Sequence, residues 1–134
     1  MPAWGKVLAE IGGQQAQHPV DLIRRKYLAK LHNRTGRNVI AYYSGWLLRP
    51  PTMPNLAVGD DDINAFKSAV HQLDRRKGLD LILHTPGGDI AATEAIVQYL
   101  HAIFDHNIRV LVPQLAMSAG TMIACAAHTI VMGK

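Results

Sequence analysis

A single cysteine, Cys125, leaves this chain without any internal disulfide framework. That points away from the small secreted scaffolds held together by such bridges and fits a reducing, cytoplasmic setting. Set in the apolar run Met122-Ile123-Ala124-Cys125-Ala126-Ala127, the thiol reads as buried and inert. Aromatic residues are scarce, at 6%, and the basic residues lack the regular interleaving with aromatics that single-stranded nucleic acid requires. The first fifteen residues hold no continuous apolar stretch of the kind a secretory signal carries. Charge is missing altogether between Val110 and Gly133, a run long enough to cross a bilayer. Pro113, Gln114, Ser118, Gly120, Thr121 and His128 interrupt it, however, and it divides into strand, turn, helix and strand. A central parallel strand with its packed helix gives the same apolar signal, so a membrane span is not favoured.

What is present bounds the rest. A chain of 134 residues that is 49% apolar suggests one domain, or part of one, with a sizeable core. The net charge of +4 is unevenly spread: residues 1–50 carry eight Lys or Arg against Glu10 and Asp21, and residues 51–134 carry six against eight acidic side chains. A basic N-terminal segment can meet nucleic acid or anionic lipid. A solvated helix face is the plainer expectation, with no nucleic-acid partner.

Residues 1–15 read as loosely structured, broken by Gly12-Gly13. Pro19 suits the first turn of a helix; Val20, Ile23, Tyr27 and Leu31 then recur at helical spacing, and Asn33 to Gly36 ends the helix. Residues 1–36 are thus expected to form an N-terminal extension with a basic helix, ahead of a domain over 37–134. Asn38 to Tyr43 is a β-type run. Residues 44–59, with Gly45, Pro50, Pro51, Pro54 and Gly59, form a long loop. Asp60, Asp61 and Asp62 sit where a helix N-terminus favours negative charge. That explains them without a metal, and no His, Cys and Asp set elsewhere has metal-ligand spacing. Neither metal nor cofactor is expected. Ile63, Phe66, Val70 and Leu73 make one apolar face, and Arg75-Arg76-Lys77-Gly78 closes that helix. A strand over 79–84, a helix from Ile90 capped by Asp89, a strand over 108–112, a short helix after Ser118 and a strand from His128 complete the pattern. Strands separated by helices imply a parallel sheet with right-handed crossovers.

Two loops at the strand ends carry the chemistry. Thr85-Pro86-Gly87-Gly88-Asp89 follows the strand at 79–84, and Ala116-Met117-Ser118-Ala119-Gly120-Thr121 follows the strand at 108–112. In a parallel sheet such loops emerge on one side, where ligands bind. Pro86 has no N–H and holds Thr85 extended. Gly87 and Gly88 permit unusual dihedrals and close approach, so the turn can present the Gly88 N–H outward. Ser118 lies at a helix start whose first N–H groups are unsatisfied. Acyl transfer needs these two parts side by side: a nucleophile, and donors for the oxyanion. Taken singly, Ser118 is well explained as an N-cap and Gly87-Gly88 as a tight turn.

Together, Leu83-His84-Thr85-Pro86-Gly87-Gly88 and Leu115-Ala116-Met117-Ser118-Ala119-Gly120-Thr121 resemble the Clp protease/crotonase superfamily. Within it the sequence is similar to the serine dehydrogenase proteinase family, and it also looks like signal peptide peptidase A and the NfeD-type peptidases. The likeness runs from Val39 to Lys134 and includes Ala41-Tyr42-Tyr43-Ser44-Gly45-Trp46. It implies an α/β fold: a crotonase-type spiral of ββα units with a mostly parallel sheet. It implies that Ser118 is the catalytic nucleophile of a serine peptidase, that Gly88 and Ala119 form the oxyanion hole, and that Pro86 and Gly87 lie along a bound peptide. Relatives are oligomers acting on peptide or protein substrates, so self-assembly is expected.

Such families use a histidine or lysine base well downstream of the serine, and only sixteen residues follow Ser118 here. The chain therefore reads as the N-terminal part of a longer enzyme, incomplete at its C-terminus. Among the residues present, Lys134 would be a poorly fixed end. His128 would lie at the wrong edge of the sheet, and His84 is expected to pack beneath the loop. The alternative is a non-catalytic, truncated domain that binds peptide or a partner subunit.

Overall fold

The computed structural model describes residues 4–15 and 17–133. They fall into two compact units that divide after Gly36.

The first unit is a helix pair. Helix α1 (Trp4–Gly12) occupies sequence that reads as loosely structured, which corrects that expectation. Trp4, Val7, Leu8 and Ile11 recur at i, i+3, i+4 and i+7, an amphipathic signature that Gly12-Gly13 obscures from its C-terminal side. Helix α2 (Pro19–Thr35) begins with the proline in its first turn and ends where Gly36, at φ 69°, donates its N–H to the His32 carbonyl. Glu10 ties the two helices together, accepting from Lys26 Nζ at 2.6 Å and from the Tyr27 hydroxyl at 3.3 Å. Ile23 is buried, whereas Val20, expected on the same face, is 52% exposed.

The second unit contains a four-stranded sheet in the order β1 (Asn38–Tyr43), β2 (Leu79–His84), β3 (Ile108–Val112), β4 (Thr129–Met132). Every neighbouring pair is parallel, with Asn38 opposite Leu79, Leu79 opposite Ile108, and Arg109 opposite Thr129. Helices α3 (Asp60–Val70), α4 (Ile90–Phe104) and α5 (Ala119–Cys125) make the crossovers. The result is an α/β fold with an all-parallel sheet, consistent with the ClpP/crotonase-like fold. The uncharged stretch from Val110 resolves into β3, a turn, α5 and β4. No helix among the described residues is long and apolar enough to cross a membrane.

Strand side chains alternate between faces. Leu79, Leu81 and Leu83 join Val110, Val112, Phe66, Val70, Ile96, Leu100, Phe104 and Ile123 in one core. Asp80, Ile82 and His84 alternate onto the other face. Asp80, fully buried, is held by Arg37 Nε at 2.6 Å and by Arg109 through Nε at 3.0 Å and Nη2 at 2.5 Å. This ion cluster lies near the strand starts, away from both motif loops.

Helix α3 starts as its aspartates suggest. The Asp62 carboxylate accepts the Gly59 N–H at 2.8 Å and the Tyr42 hydroxyl at 3.0 Å. Burial, reinforced by that carboxylate, pushes the Tyr42 phenol well above its usual range. The helix stops at Val70, so Arg75-Arg76-Lys77 does not close it. Those residues form a separate 3-10 turn, whose N-cap Asp74 accepts from the Arg76 N–H. A further correction concerns Cys125. It is exposed, because α5 buries Ile123 and Ala124 on the face opposite to it.

Candidate active site

Both motif loops leave the sheet at the C-terminal ends of neighbouring strands, and backbone pairing carries them on side by side. Thr85 donates its N–H to the Leu115 carbonyl at 3.3 Å, and Met117 donates to the Thr85 carbonyl at 3.1 Å. Thr85 and Ala116 thus form a parallel bridge beyond the ends of β2 and β3. The sequence motifs, about thirty residues apart, become adjacent through this register.

Thr85 organises the glycine turn from within. Its side chain is fully buried, and Oγ1 accepts the Gly87 N–H at 3.2 Å. Gly87 sits at φ 100°, and a β-carbon there would lie 2.6 Å from the Met117 carbonyl oxygen and 2.7 Å from Ser118 Cβ. Only glycine allows the two loops to come this close. Gly87 is accordingly buried, Pro86 half-buried and Gly88 exposed.

The far end of the loop over 44–59 closes one edge of the turn. Val58 donates to the Gly87 carbonyl at 2.8 Å and accepts from the Asp89 N–H at 2.9 Å. In extended backbone, successive residues direct their N–H and C=O groups to opposite edges. Val58 uses residues 87 and 89, so Gly88 is left with its own pair facing away from Val58. Among the described residues the Gly88 N–H has no acceptor.

Ser118 takes φ 52° and ψ −119°, and Gly120 donates to the Met117 carbonyl at 2.8 Å. This is the first central position of a type II′ turn, normally occupied by glycine. Holding a serine there costs about 1–3 kcal/mol. Ser118 holds the N-cap position, its carbonyl accepting from the Thr121 and Met122 N–H groups, but its side chain makes no capping bond to α5 and the residue is exposed. The next residue, Ala119, is buried and its N–H has no acceptor among the described residues. Two further contacts fix the turn: Thr121 Oγ1 donates to the Ala116 carbonyl at 2.8 Å, and Thr85 Cγ2 fills the space a side chain on Gly120 would need.

Two histidines of the second unit, His84 and His128, are engaged or placed elsewhere. His84 is half-buried and stacks on Trp46 with ring centroids 6.3 Å apart, on the strand face opposite to Thr85. His128 precedes β4 and so lies at the N-terminal edge of the sheet, away from both loops. Lys134 falls outside the described residues. No group of three or more His, Cys, Asp and Glu among the described residues is placed to hold a metal ion.

Sequence could reveal the two motifs but not the support of Val58. A lone valine before Gly59 carries no signal of its own; its role comes from where the loop returns. The strain at Ser118 was equally hidden, since nothing in Ala116-Met117-Ser118-Ala119 advertises a positive φ.

Comparison with known proteins gives the arrangement its context. Residues 11–134 match the family described as ClpP-like SDH-type serine proteinase. The uncharacterized protein MJ0137 of Methanocaldococcus jannaschii is 35% identical over 119 residues, covering 86% of this chain and 41% of that protein. The uncharacterized protein MJ1495 of the same organism is 45% identical over 58 residues, 42% of this chain and 19% of its own length. The chain therefore spans less than half the length of the curated relatives it matches.

Proposed function

Because the chain belongs to the ClpP-like SDH-type serine proteinase family, we propose that Ser118 is the nucleophile of a peptide-hydrolysing site built from these two loops. Ser118 Oγ gives its proton to a base and attacks a peptide carbonyl; the C–N bond breaks, the amine leaves carrying that proton, and water hydrolyses the acyl-enzyme to the acid and free serine. The N–H groups of Gly88 and Ala119 hold the tetrahedral oxyanion. One such donor contributes about 3 kcal/mol to lowering the barrier. The peptide runs past Pro86 along the free edge of Gly88, as an added strand opposite Val58.

The observation that carries this reading is the strained, uncapped Ser118 packed against Gly87. Strain of this kind persists where surrounding structure holds it, and it clusters at functional sites. Here it turns the hydroxyl away from helix capping and leaves the Ala119 N–H free. The proton acceptor is proposed to come from outside the described residues, in a longer chain or a neighbouring subunit. The length of the matched relatives beyond the shared region supports that.

A fluorophosphonate probe applied to the longest natural product tests the proposal. Labelling that disappears in Ser118→Ala is expected. Equal labelling of both proteins would sink it.

A second reading, non-catalytic peptide binding, draws on one observation: His84, the histidine next to the glycine turn, is engaged in a stack on Trp46. An unlabelled, well-folded long product that still binds peptide along Gly88 would favour it. Self-association is proposed on either reading. Among the described residues β4 is an edge strand, with Ile130, Val131 and Met132 43%, 44% and 71% exposed.

A further inference from the structure

We propose that the helix pair ending at Gly36 is a membrane-surface module, which lays Trp4 and Leu8 into the headgroup region of an anionic bilayer. The peptidase reading plays no part in this inference.

The first observation is the way α1 divides its apolar stripe. Val7 and Ile11 are half-buried, while Trp4 and Leu8, one turn apart, are 69% and 49% exposed. Leu22 of α2 adds a further exposed leucine, at 46%. Isolated exposed leucines are ordinary. A tryptophan and a leucine at i and i+4 on a short amphipathic helix are the combination that interfacial helices present.

The second observation is charge. Lys6, Arg25, Lys26, Lys30 and Arg34 are all exposed. The unit's acidic side chains are both engaged within it: Asp21 pairs with Arg24 at 2.5 Å and Arg25 at 3.5 Å, and Glu10 pairs with Lys26 at 2.6 Å. The surplus is therefore positive and outward, complementary to anionic headgroups. Helix α1 has nine residues, far too few to span a bilayer, so it would lie in the plane of the surface. Nucleic acid is the poorer match. Phosphate contacts would use the cations but leave exposed Trp4 and Leu8 without a role.

The full chain should be sedimented with vesicles of phosphatidylcholine alone and with vesicles containing phosphatidylglycerol. At least tenfold stronger partition onto the anionic vesicles is expected. In a Trp46→Phe background, the fluorescence of Trp4 should shift to the blue on binding. Trp4→Ser/Leu8→Ser and Lys30→Glu/Arg34→Glu should each weaken partition about tenfold with an unchanged circular dichroism spectrum, because all four side chains are exposed. No preference for anionic vesicles would overturn the proposal. So would binding that survives loss of Trp4 and Leu8, which would mark simple charge attraction. A dimer that Trp4→Ser/Leu8→Ser converts to monomer, without lipid binding, would assign the face to a second copy and overturn it equally.

Discussion

Gly87 and Ser118 meet so closely that a β-carbon on the first would stand 2.7 Å from the β-carbon of the second. The glycine is needed less for freedom in its own turn than for what it admits beside it. Its missing side chain lets the 113–118 loop fold down onto the turn after β2, and that contact brings the backbone of Met117 and Ser118 against the glycine turn.

Gly87→Ala should therefore act on both loops. The alanine would meet the Met117 carbonyl oxygen at 2.6 Å and would have to hold φ 100°. A loss of about 1–3 kcal/mol is expected from the overpacking, read as a lower midpoint of urea unfolding. Probe labelling of the long product should fall as well, because the loop carrying Ser118 must move away. An unchanged midpoint would mean that the loops are not in contact.

Ser118 offers a test in the opposite direction. Its φ of 52° is natural for glycine and strained for serine. Ser118→Gly should raise stability by about 1 kcal/mol through relief of that strain, while abolishing any labelling. Ser118→Ala removes the same hydroxyl but keeps a β-carbon, so it should gain nothing. Thermal or denaturant midpoints of the three proteins separate strain from the loss of the hydroxyl. Equal stability of the glycine and alanine variants would exclude a strained serine.

The contrast between Leu81 and Asp80 shows how far sequence reaches in this fold. Strands β2 and β3 are legible because buried parallel strands are mostly apolar, with Asp80 and Arg109 the charged exceptions, and their crossovers follow from the intervening helical patterns. Helix α4 is legible from Asp89, whose carboxylate accepts the Ala92 N–H at 2.7 Å. Helix α1 is not, since it ends within the pair Gly12-Gly13, which outweighs its periodicity. Cys125 misleads because an apolar run says nothing about which side of a short helix faces the core. The site follows the same division. Its two motifs are local and visible, whereas Val58, the Thr85–Ala116 register and the backbone of Ser118 depend on contacts between distant segments.

Asp80 is the sharpest case of a residue whose meaning is non-local. Arg37 and Arg109 converge on its buried carboxylate, from positions 43 and 29 residues away. Asp80→Ala would take from Arg109 its carboxylate partner and from Arg37 one acceptor among several, since Arg37 also donates to Asn107 Oδ1 and to the Leu79 and Asn107 carbonyls. Losing these charge-assisted hydrogen bonds to part-exposed guanidinium groups is expected to cost about 1.5–3 kcal/mol, and equilibrium unfolding would report it. A loss below about 1 kcal/mol, the range of exposed pairs, would show that solvent replaces the carboxylate with ease.

Thr85 and Gly120 are coupled through a single methyl group. A β-carbon on Gly120 would lie 2.6 Å from Thr85 Cγ2, but 3.5 Å from Ala116 Cβ and 3.6 Å from the Thr85 carbonyl oxygen. One methyl group is therefore the whole obstacle. Gly120→Ala alone should cost about 1–3 kcal/mol by overpacking. Thr85→Ser alone should cost roughly 1 kcal/mol for the lost methyl, while keeping the hydroxyl that accepts the Gly87 N–H. Combined, the substitutions should largely cancel. The serine vacates the space that the alanine fills, and alanine is favoured over glycine inside a helix by about 1 kcal/mol. A double-mutant cycle should return a favourable coupling of about 0.5–3 kcal/mol. Additive losses would mean that the contact between Thr85 and the start of α5 is not what shapes the turn at Ser118.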